Sequence, residues 1–304
     1  MSLAACSSDH HVSAWGAAGS PRLGAYLETP DLDARLALVD TETAALGLHL
    51  TDEIPITLAH GGGAARIRGY EGTDTLGRPV HAIRVATARS VVMAVGPVDS
   101  HDTARDGATE LVPALLVEDG GRRGSAFRSG TDLTGDGAIA VVAKGETGQL
   151  AIWRITSLGA APYPIAMAAP PTRALDVDGD GRVDLVGDLA TECGDAIAPR
   201  LSDAATFDGV GYSNRTEGAR AFHAALAEAA PPRNGDAPAS DELRLRRAVE
   251  RAWHAVQAGK SREDARSELD REVVPARLRA AFDRCVSVLS PSPGARGPRT
   301  PGGT

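Results

Sequence analysis

Nine residues, Asp176-Val-Asp-Gly-Asp-Gly-Arg-Val-Asp184, form the most informative stretch of this sequence. Aspartates stand at its first, third, fifth and ninth positions, and glycines stand at its fourth and sixth. Carboxylates crowded into so short a loop repel one another unless a cation lies between them, and a hard divalent cation prefers oxygen ligands. The glycines allow a backbone turn tight enough for the carboxylates to converge. The stretch therefore predicts a metal-binding loop.

The expected ion is Ca²⁺, because every ligand that the loop offers is an oxygen atom. The predicted ligands are Asp176, Asp178, Asp180, the carbonyl oxygen of Arg182, and Asp184 either directly or through water. An EF-hand would require glutamate at the twelfth position, where this sequence has Gly187 followed by Asp188. Pro170 and Pro171 also argue against a helix entering the loop, so the EF-hand is excluded. The alternative is an acidic turn whose carboxylates are satisfied by backbone amides.

Two further stretches share this spacing and indicate an internal repeat. Residues 102–110 and 132–140 also place aspartate at the first and fifth positions and glycine at the sixth. An apolar run follows each of the three stretches, which predicts that each loop leads into a strand. Only the third stretch has aspartate at all four positions, so one metal site is predicted, with at best a weak partial site at Asp132 and Asp136.

A loop of this form that leads into a strand resembles the FG-GAP and VCBS-type repeats of bacterial extracellular proteins and integrin-like β-propellers. Their loops have the pattern Asp-x-Asp-Gly-Asp-Gly-x-x-Asp, which Asp176 to Asp184 matches in full. The resemblance covers roughly residues 99–190. It implies calcium as the bound ion and an antiparallel, β-rich architecture. Because three units are fewer than the blades of a closed propeller, the expected arrangement is a partial propeller or a sandwich.

The first residues carry a second resemblance. Leu3-Ala4-Ala5-Cys6, followed by Ser7-Ser8-Asp9, resembles the lipobox of bacterial lipoproteins, in which the cysteine thiol is acylated after cleavage. Cys6 is therefore the candidate lipidation site, and the resemblance implies a protein held at the cell envelope by its lipid anchor, at the outer membrane or in the periplasm, or a secreted one. A signal peptide would need a basic start and an apolar stretch before Leu3, so a late start codon or a chance match remains open.

Cys193 and Cys285 form an even pair if Cys6 carries lipid, and an oxidising envelope would allow them to form a disulfide. Sequence spacing does not decide this, because the two Cα atoms must lie within about 7 Å. Cys285 belongs to an apolar helix face, so a plain buried thiol is the alternative.

Hydrophobic patterning predicts an α+β fold in which a β-rich N-terminal part, antiparallel in its sheets, precedes a helical C-terminal part. Short apolar runs predict strands at residues 35–39, 54–58, 65–68, 80–86 and 90–95. Alternation at residues 65–68 and 81–85 predicts one face inward and one in water. A short helix is expected at residues 40–48, and the turn at residues 145–148 is expected to join two strands.

Helical periodicity begins after Thr216. It predicts helices over residues 217–229, 241–258, 262–273 and 275–289. Ser261 and Asp264 match a capping box, and Pro275 suits the first position of the last helix. The predicted organisation is an anchor and tether (1–24), a β-rich domain (25–98), the repeats (99–212), a helical region (213–289) and a disordered tail (290–304).

Composition and missing motifs limit the function classes. A net charge of −8 argues against nucleic acid as a partner, because no continuous basic face would neutralise phosphates. The run from His60 to Gly63 copies an esterase oxyanion motif, but no Gly-x-Ser-x-Gly elbow follows it. The leading hypothesis is a non-enzymatic, calcium-stabilised envelope lipoprotein that binds an envelope protein or a polysaccharide, or serves as a structural module. The alternative is a secreted or envelope hydrolase whose active site lies in residues 25–98.

Overall fold

A computed structural model of the chain describes residues 31–59, 62–73, 76–97, 110–119, 122–191, 193, 196–229, 240–287 and 289, without the side chains of 115–126. The predicted tether with Cys6, most of the first loop (102–109), His60 and the predicted tail lie outside these residues. Within them the chain has the predicted α+β fold, with antiparallel sheets first and most of the helices C-terminal.

The first sheet is a meander of strands that pair in chain order and follow one helix. These elements are α1 (Leu32–Ala45), β1 (Leu48–Leu58), β2 (Gly63–Thr73), β3 (Pro79–Thr87) and β4 (Val91–Val95). All its pairs are antiparallel, and Ile67 of β2 lies opposite both Ile54 of β1 and Val85 of β3.

Helix α1 corrects the strand predicted at residues 35–39. Asp31 caps the helix by accepting a hydrogen bond of 2.9 Å from the Asp33 amide. Leu36, Val39 and Thr43 are buried at the i, i+3 and i+7 spacing of a helix face. A five-residue apolar run does not distinguish strand from helix by itself.

Helix α1 also explains why β3 has no solvated face, contrary to the alternation predicted for residues 81–85. On one side of the sheet, Tyr70 and Ala82 pack with Leu36 and Val39 of α1. On the other side, Ile83 and its neighbours pack against a second sheet. Both faces of β3 are therefore buried, and a pattern of alternation gave no sign of the helix that covers the outer face.

The second sheet has the strand order β10-β9-β8-β5. A separate two-stranded ribbon, β6 and β7, lies between β5 and β8 in the chain. The strands are β5 (Glu110–Leu111), β6 (Ala114–Asp119), β7 (Arg122–Arg128), β8 (Ile139–Lys144), β9 (Leu150–Thr156) and β10 (Gly159–Pro162). The predicted turn between β8 and β9 is confirmed, because the Gly148 amide donates to the Gly145 carbonyl at 2.8 Å.

The third sheet has the strand order β11-β15-β14-β13-β12, and only its β11–β15 pair is parallel. Its strands are β11 (Ile165–Ala166), β12 (Arg173–Leu175), β13 (Asp184–Leu189), β14 (Leu201–Phe207) and β15 (Tyr212–Ser213). The acidic stretch that begins at Asp176 forms the loop between β12 and β13, and its last residue, Asp184, begins β13.

The three sheets stack face to face, with the second sheet in the middle. Side chains alternate along a strand, so Val141 and Trp153 pack with the first sheet while Val142 and Ile152 pack with the third. Residues 25–98 and 99–212 therefore share an apolar core, which includes Ile67, Ile83 and Met93 from the first sheet.

The C-terminal helices are α2 (Glu217–Glu228), α3 (Asp241–Gln257), α4 (Arg262–Leu269) and α5 (Arg279–Ser287), with a 3₁₀ turn at Ala276–Leu278. The Ser261 cap is confirmed, since its hydroxyl accepts the Asp264 amide at 3.0 Å. Helix α4 ends at Leu269 instead of residue 273, and Pro275 caps the 3₁₀ turn from an extended conformation. The helix closes early because the amides of Arg271 and Glu272 donate to carbonyls three residues back, in the tighter turn that often ends a helix.

Helices α3 to α5 have an apolar core of their own. The helix faces predicted from the sequence supply it, with Leu245, Val249 and Ala252 from α3 packed against Leu278, Phe282, Cys285 and Leu289. Cys193 and Ile197, from the segment that connects β13 to β14, join this core together with Leu201 at the start of β14. None of the helices in the described part of the chain combines the length and the apolar character needed to cross a bilayer.

Candidate metal centre

The loop between β12 and β13 brings three carboxylates together. Asp176, Asp178 and Asp184 each offer one oxygen, and these oxygens all lie within 4.8 Å of one another. Oxygens bound to one Ca²⁺ at 2.3–2.6 Å can be at most about 5 Å apart, so the cluster has the dimensions of a cation site. Asp184 begins β13 and is only 1% exposed, whereas Asp178 lies at the surface.

Asp176 also fixes the backbone of this loop. Its two carboxylate oxygens accept the Gly179 amide at 2.8 Å and the Gly181 amide at 3.1 Å. Both glycines have positive φ, 78° and 82°, which disfavours any residue with a side chain. The loop is therefore held by its first aspartate and by glycines at its fourth and sixth positions, as their spacing in the sequence requires.

The second acidic stretch, residues 132–140, adopts the same loop. Asp132 accepts the Gly135 amide at 2.7 Å and the Gly137 amide at 2.8 Å, and these glycines have φ of 72° and 82°. The two loops lie side by side, because the Val183 amide donates to the Leu133 carbonyl at 3.1 Å. Both loops lead into strands, β8 and β13, as predicted.

In the second loop, neighbouring side chains stabilise the charge of Asp136. Asp136 accepts the Tyr163 hydroxyl at 3.0 Å and lies 3.6 Å from the Arg154 guanidinium. Partial burial opposes ionisation of Asp136, but hydrogen bonds from the Ala138 amide and from Tyr163 outweigh it and lower the pKa of this carboxyl. The same burial and the nearby carboxylate raise the pKa of Tyr163 to about 12.

The third loop has the opposite electrostatics. Burial, together with the charges of Asp178, Asp180 and Asp176, raises the pKa of Asp184 to about 7, although the Val177 amide donates to this carboxylate at 2.9 Å. Burial and the charges of Asp180 and Asp176 likewise raise the pKa of Asp178. Mutual repulsion of this kind is what a bound cation relieves.

One of the predicted ligands, Asp180, has another partner, and Asp188 lies outside the loop. Asp180 is not part of the three-carboxylate cluster, and its side chain accepts the Arg182 amide at 2.8 Å and lies 3.5 Å from the Arg182 guanidinium. That guanidinium also packs over Gly135 of the second loop, where a β-carbon would come within 2.9 Å of it. Asp188 lies farther along β13, where it contacts Arg173 at 2.9 Å and Ser202 at 2.5 Å.

Helix α2 borders the cluster on one side. A β-carbon on Gly218, in the first turn of α2, would lie 2.2 Å from a carboxylate oxygen of Asp178. The first turn of a helix carries unpaired amides and a partial positive charge, which favours a carboxylate beside it. Thr216 caps this helix by accepting the Ala219 amide at 3.2 Å.

The two remaining cysteines are joined in the structure. Cys193 and Cys285 form a disulfide with a Cα–Cα distance of 4.6 Å, within the range that a bridge requires. The bridge links the segment after β13 to helix α5. Both cysteines are buried in the core of the C-terminal helices.

A buried polar network lies on the far side of α2, and the sequence analysis did not find it. It joins Asp203 of β14, His223 of α2 and His254 of α3. These residues are 20 and 31 positions apart, so no local motif links them. The only signal was that both histidines stand in predicted helices.

Comparison with known proteins gives no relative for this chain: no protein-family model, no curated protein and no solved structure matches it. The case for a metal centre therefore depends on the chain's own residues. The two loops have the same backbone geometry but differ in charge. In one, Asp136 is paired with Arg154 and accepts a hydrogen bond from Tyr163, while in the other three carboxylates crowd together.

Proposed function

We propose that this chain is a calcium-stabilised, β-rich module of a bacterial envelope protein, with a binding or structural role. The observation that carries the proposal is the convergence of Asp176, Asp178 and Asp184 in a loop whose backbone is fixed independently of any ion. A loop that is already formed loses little conformational entropy when it binds a cation, which favours affinity.

The donor set favours calcium over other metals. Oxygen ligands alone suit hard cations, whereas zinc and copper sites use imidazole or thiolate ligands. Magnesium demands near-ideal octahedral geometry and gives up its water reluctantly, while calcium accepts six to eight oxygens in irregular arrangements. Three carboxylates from one short loop, completed by water and a backbone carbonyl, match the calcium requirement better.

The expected effect of calcium is stabilisation of the third sheet. Asp184 is both a proposed ligand and the first residue of β13, which pairs with β12 and β14. An ion at the cluster would remove the repulsion that opposes ionisation of Asp184 and would tie the loop to that strand. The stack of three sheets and the equal loops before β8 and β13 support an architecture of the repeat type.

An envelope location is part of the proposal. It is supported by the lipobox resemblance around Cys6, by the loop type, and by the Cys193–Cys285 disulfide, which is common in oxidising compartments and rare in the cytosol. An envelope protein or a polysaccharide is the proposed kind of partner, and a lipid anchor the proposed attachment to the membrane.

The test is a calcium titration of the full chain, followed by calorimetry and by thermal unfolding with calcium, magnesium or a chelator. The informative variant is Asp178→Asn with Asp184→Asn, because both changes leave Asp176 to hold the loop. Asp270→Asn with Asp283→Asn is the matched control, since both residues are exposed and lie outside the cluster. At a calcium concentration one hundred times Kd, the parent and the control should gain about 2.7 kcal/mol.

The cluster variant should gain nothing from calcium. An equal response in the parent and in the cluster variant would show that calcium binds elsewhere. No response in any of the proteins would show that the loop is an acidic turn that binds no calcium. A larger response to magnesium than to calcium would contradict the choice of ion.

A further inference from the structure

Helix α2 is attached to the rest of the molecule in an unusual way. The apolar clusters formed by the described residues include no side chain from this helix. Its buried residues are Ala219, which offers little surface, and His223. Its larger apolar side chains, Phe222 and Leu226, are only half-buried, and His223 is the one large side chain of α2 that is fully enclosed. The docking of α2 should therefore be sensitive to the state of His223.

His223 lies between a carboxylate and a second imidazole. Its Nε2 atom is 3.2 Å from Oδ1 of Asp203 on β14, and its Nδ1 atom is 3.0 Å from Nδ1 of His254 on α3. Asp203 and His223 are fully buried and His254 is 5% exposed. The Asp203 carboxylate also accepts hydrogen bonds from the Ala168 amide and from Asn214, the latter at 3.1 Å.

The contact between the two Nδ1 atoms fixes the number of protons that the pair can hold. One of these atoms must donate and the other must accept, so one proton lies between them. A proton added to the neutral pair can be placed on His223, where the imidazolium donates to both Asp203 and His254. A further proton would set two N–H groups and two positive charges against each other at 3.0 Å.

We propose that α2 is a detachable helix and that the His223–His254 contact is a proton-sensitive clasp that releases it in acid. The released state exposes both imidazoles to water, so each can be protonated. In the docked state the second proton is excluded, because two N–H groups would face each other. Release is local, because α3, α4 and α5 keep their own apolar core and the Cys193–Cys285 bridge.

The ionisable groups around His254 support this direction. Burial and the charge of His223 lower the pKa of His254 to about 4, and Asp203 opposes the shift without cancelling it. Helix α3 also packs on α4 and α5, but within the described residues no ionisable side chain of those helices contributes to the shift. A histidine in water has a pKa of about 6.5.

The sign and size of the effect follow from these values. Between pH 6.5 and about 4 the released state binds one proton more than the docked state, so acid favours release. The equilibrium constant for docking should fall about tenfold for each pH unit in this window. Above pH 6.5 it should not depend on pH.

The experiment is hydrogen–deuterium exchange of the full chain between pH 7.5 and 4.5, with each rate divided by the intrinsic rate at that pH. The parent should lose protection of the α2 amides about tenfold per pH unit below 6.5, while the strands of the first sheet keep theirs. His254→Gln retains a neutral partner for His223 but cannot take the second proton, so its α2 protection should not change with pH. His49→Gln, a change at a side chain that is 67% exposed, is the matched control and should behave as the parent.

Two results would overturn the clasp. One is protection of α2 that is independent of pH in the parent after correction. The other is simultaneous loss of protection in α2 and in the first sheet, which indicates global unfolding. If the His254→Gln variant fails to fold, an NMR titration of the imidazole nitrogens of the parent decides, since a docked His254 that is fully protonated at pH 5.5 contradicts the proposal.

Discussion

The carboxylate of Asp178 lies directly against Gly218, so that a β-carbon at that position would come within 2.2 Å of its Oδ2 atom and 2.9 Å of its Cβ atom. Gly218 occupies the first turn of α2, where most residues would be better helix formers. Its presence there has a steric reason: the space that a side chain would need is taken by a proposed calcium ligand. The metal loop and α2 are thus in contact at a position where any side chain would have to displace Asp178.

Gly218→Ala should weaken calcium binding about tenfold, because the methyl group displaces Asp178 from the cluster. Without calcium the same change should cost little, since alanine gains about 1 kcal/mol of helix propensity in compensation. Calorimetric titration measures the affinity. The control is a double-mutant cycle with Asp178→Asn, in which the two changes should be non-additive. Additive losses would show that Gly218 does not affect calcium binding through Asp178.

Gly181→Ala should destabilise the chain by about 1–2 kcal/mol, because φ is +82° at this position. It should also lower calcium affinity, since the Gly181 amide holds Asp176. Gly137→Ala is the matched control, because Gly137 has the same φ and the same place in the second loop. The control should show the loss of stability by thermal unfolding but an unchanged calcium response. Equal calcium responses in the two variants would contradict the assignment of the ion to the third loop.

The acidic loops were the part of this molecule that the sequence predicted best. Their conformation depends on short-range contacts, from one aspartate to amides three and five positions later, and on glycines at fixed places. Such contacts leave a periodic signature that can be recognised in a single sequence. The same holds for the cap at Ser261 and for the turn between β8 and β9.

Features that depend on distant contacts were predicted poorly. The strand expected at residues 35–39 is a helix because its apolar side chains pack on the outer face of a sheet formed by later residues. Arg84 lies fully buried in that sheet, with its guanidinium donating to the Ile83 carbonyl at 3.0 Å, which no pattern of alternation predicts. The network of Asp203, His223 and His254 likewise joins three elements that only the tertiary fold brings together.

Replacement of Cys193 and Cys285 by serine should destabilise the C-terminal helices by about 4 kcal/mol, because the bridge closes a loop across 92 positions of sequence. The measurement is urea unfolding of the parent and of the double serine variant. A thiol count provides the control: unreduced, unlipidated protein should expose one reactive thiol on denaturation, that of Cys6, and three after reduction. Three thiols before reduction would contradict the bridge.

Asp203→Asn should weaken the fold. The carboxylate accepts hydrogen bonds from Ala204 at 3.0 Å, from Asn214 and from His223, and an amide with one acceptor oxygen leaves some of these donors unpaired. A loss of about 2–3 kcal/mol at pH 7.5 is expected for such buried groups.

Urea unfolding at pH 7.5 measures the loss of stability in Asp203→Asn. The Asn214→Ala variant is the control, because it removes one neutral partner of Asp203 and leaves the carboxylate with its other donors, so it should lose less. Unchanged stability of Asp203→Asn would contradict the prediction, since it would show that the buried donors do not depend on the charged carboxylate.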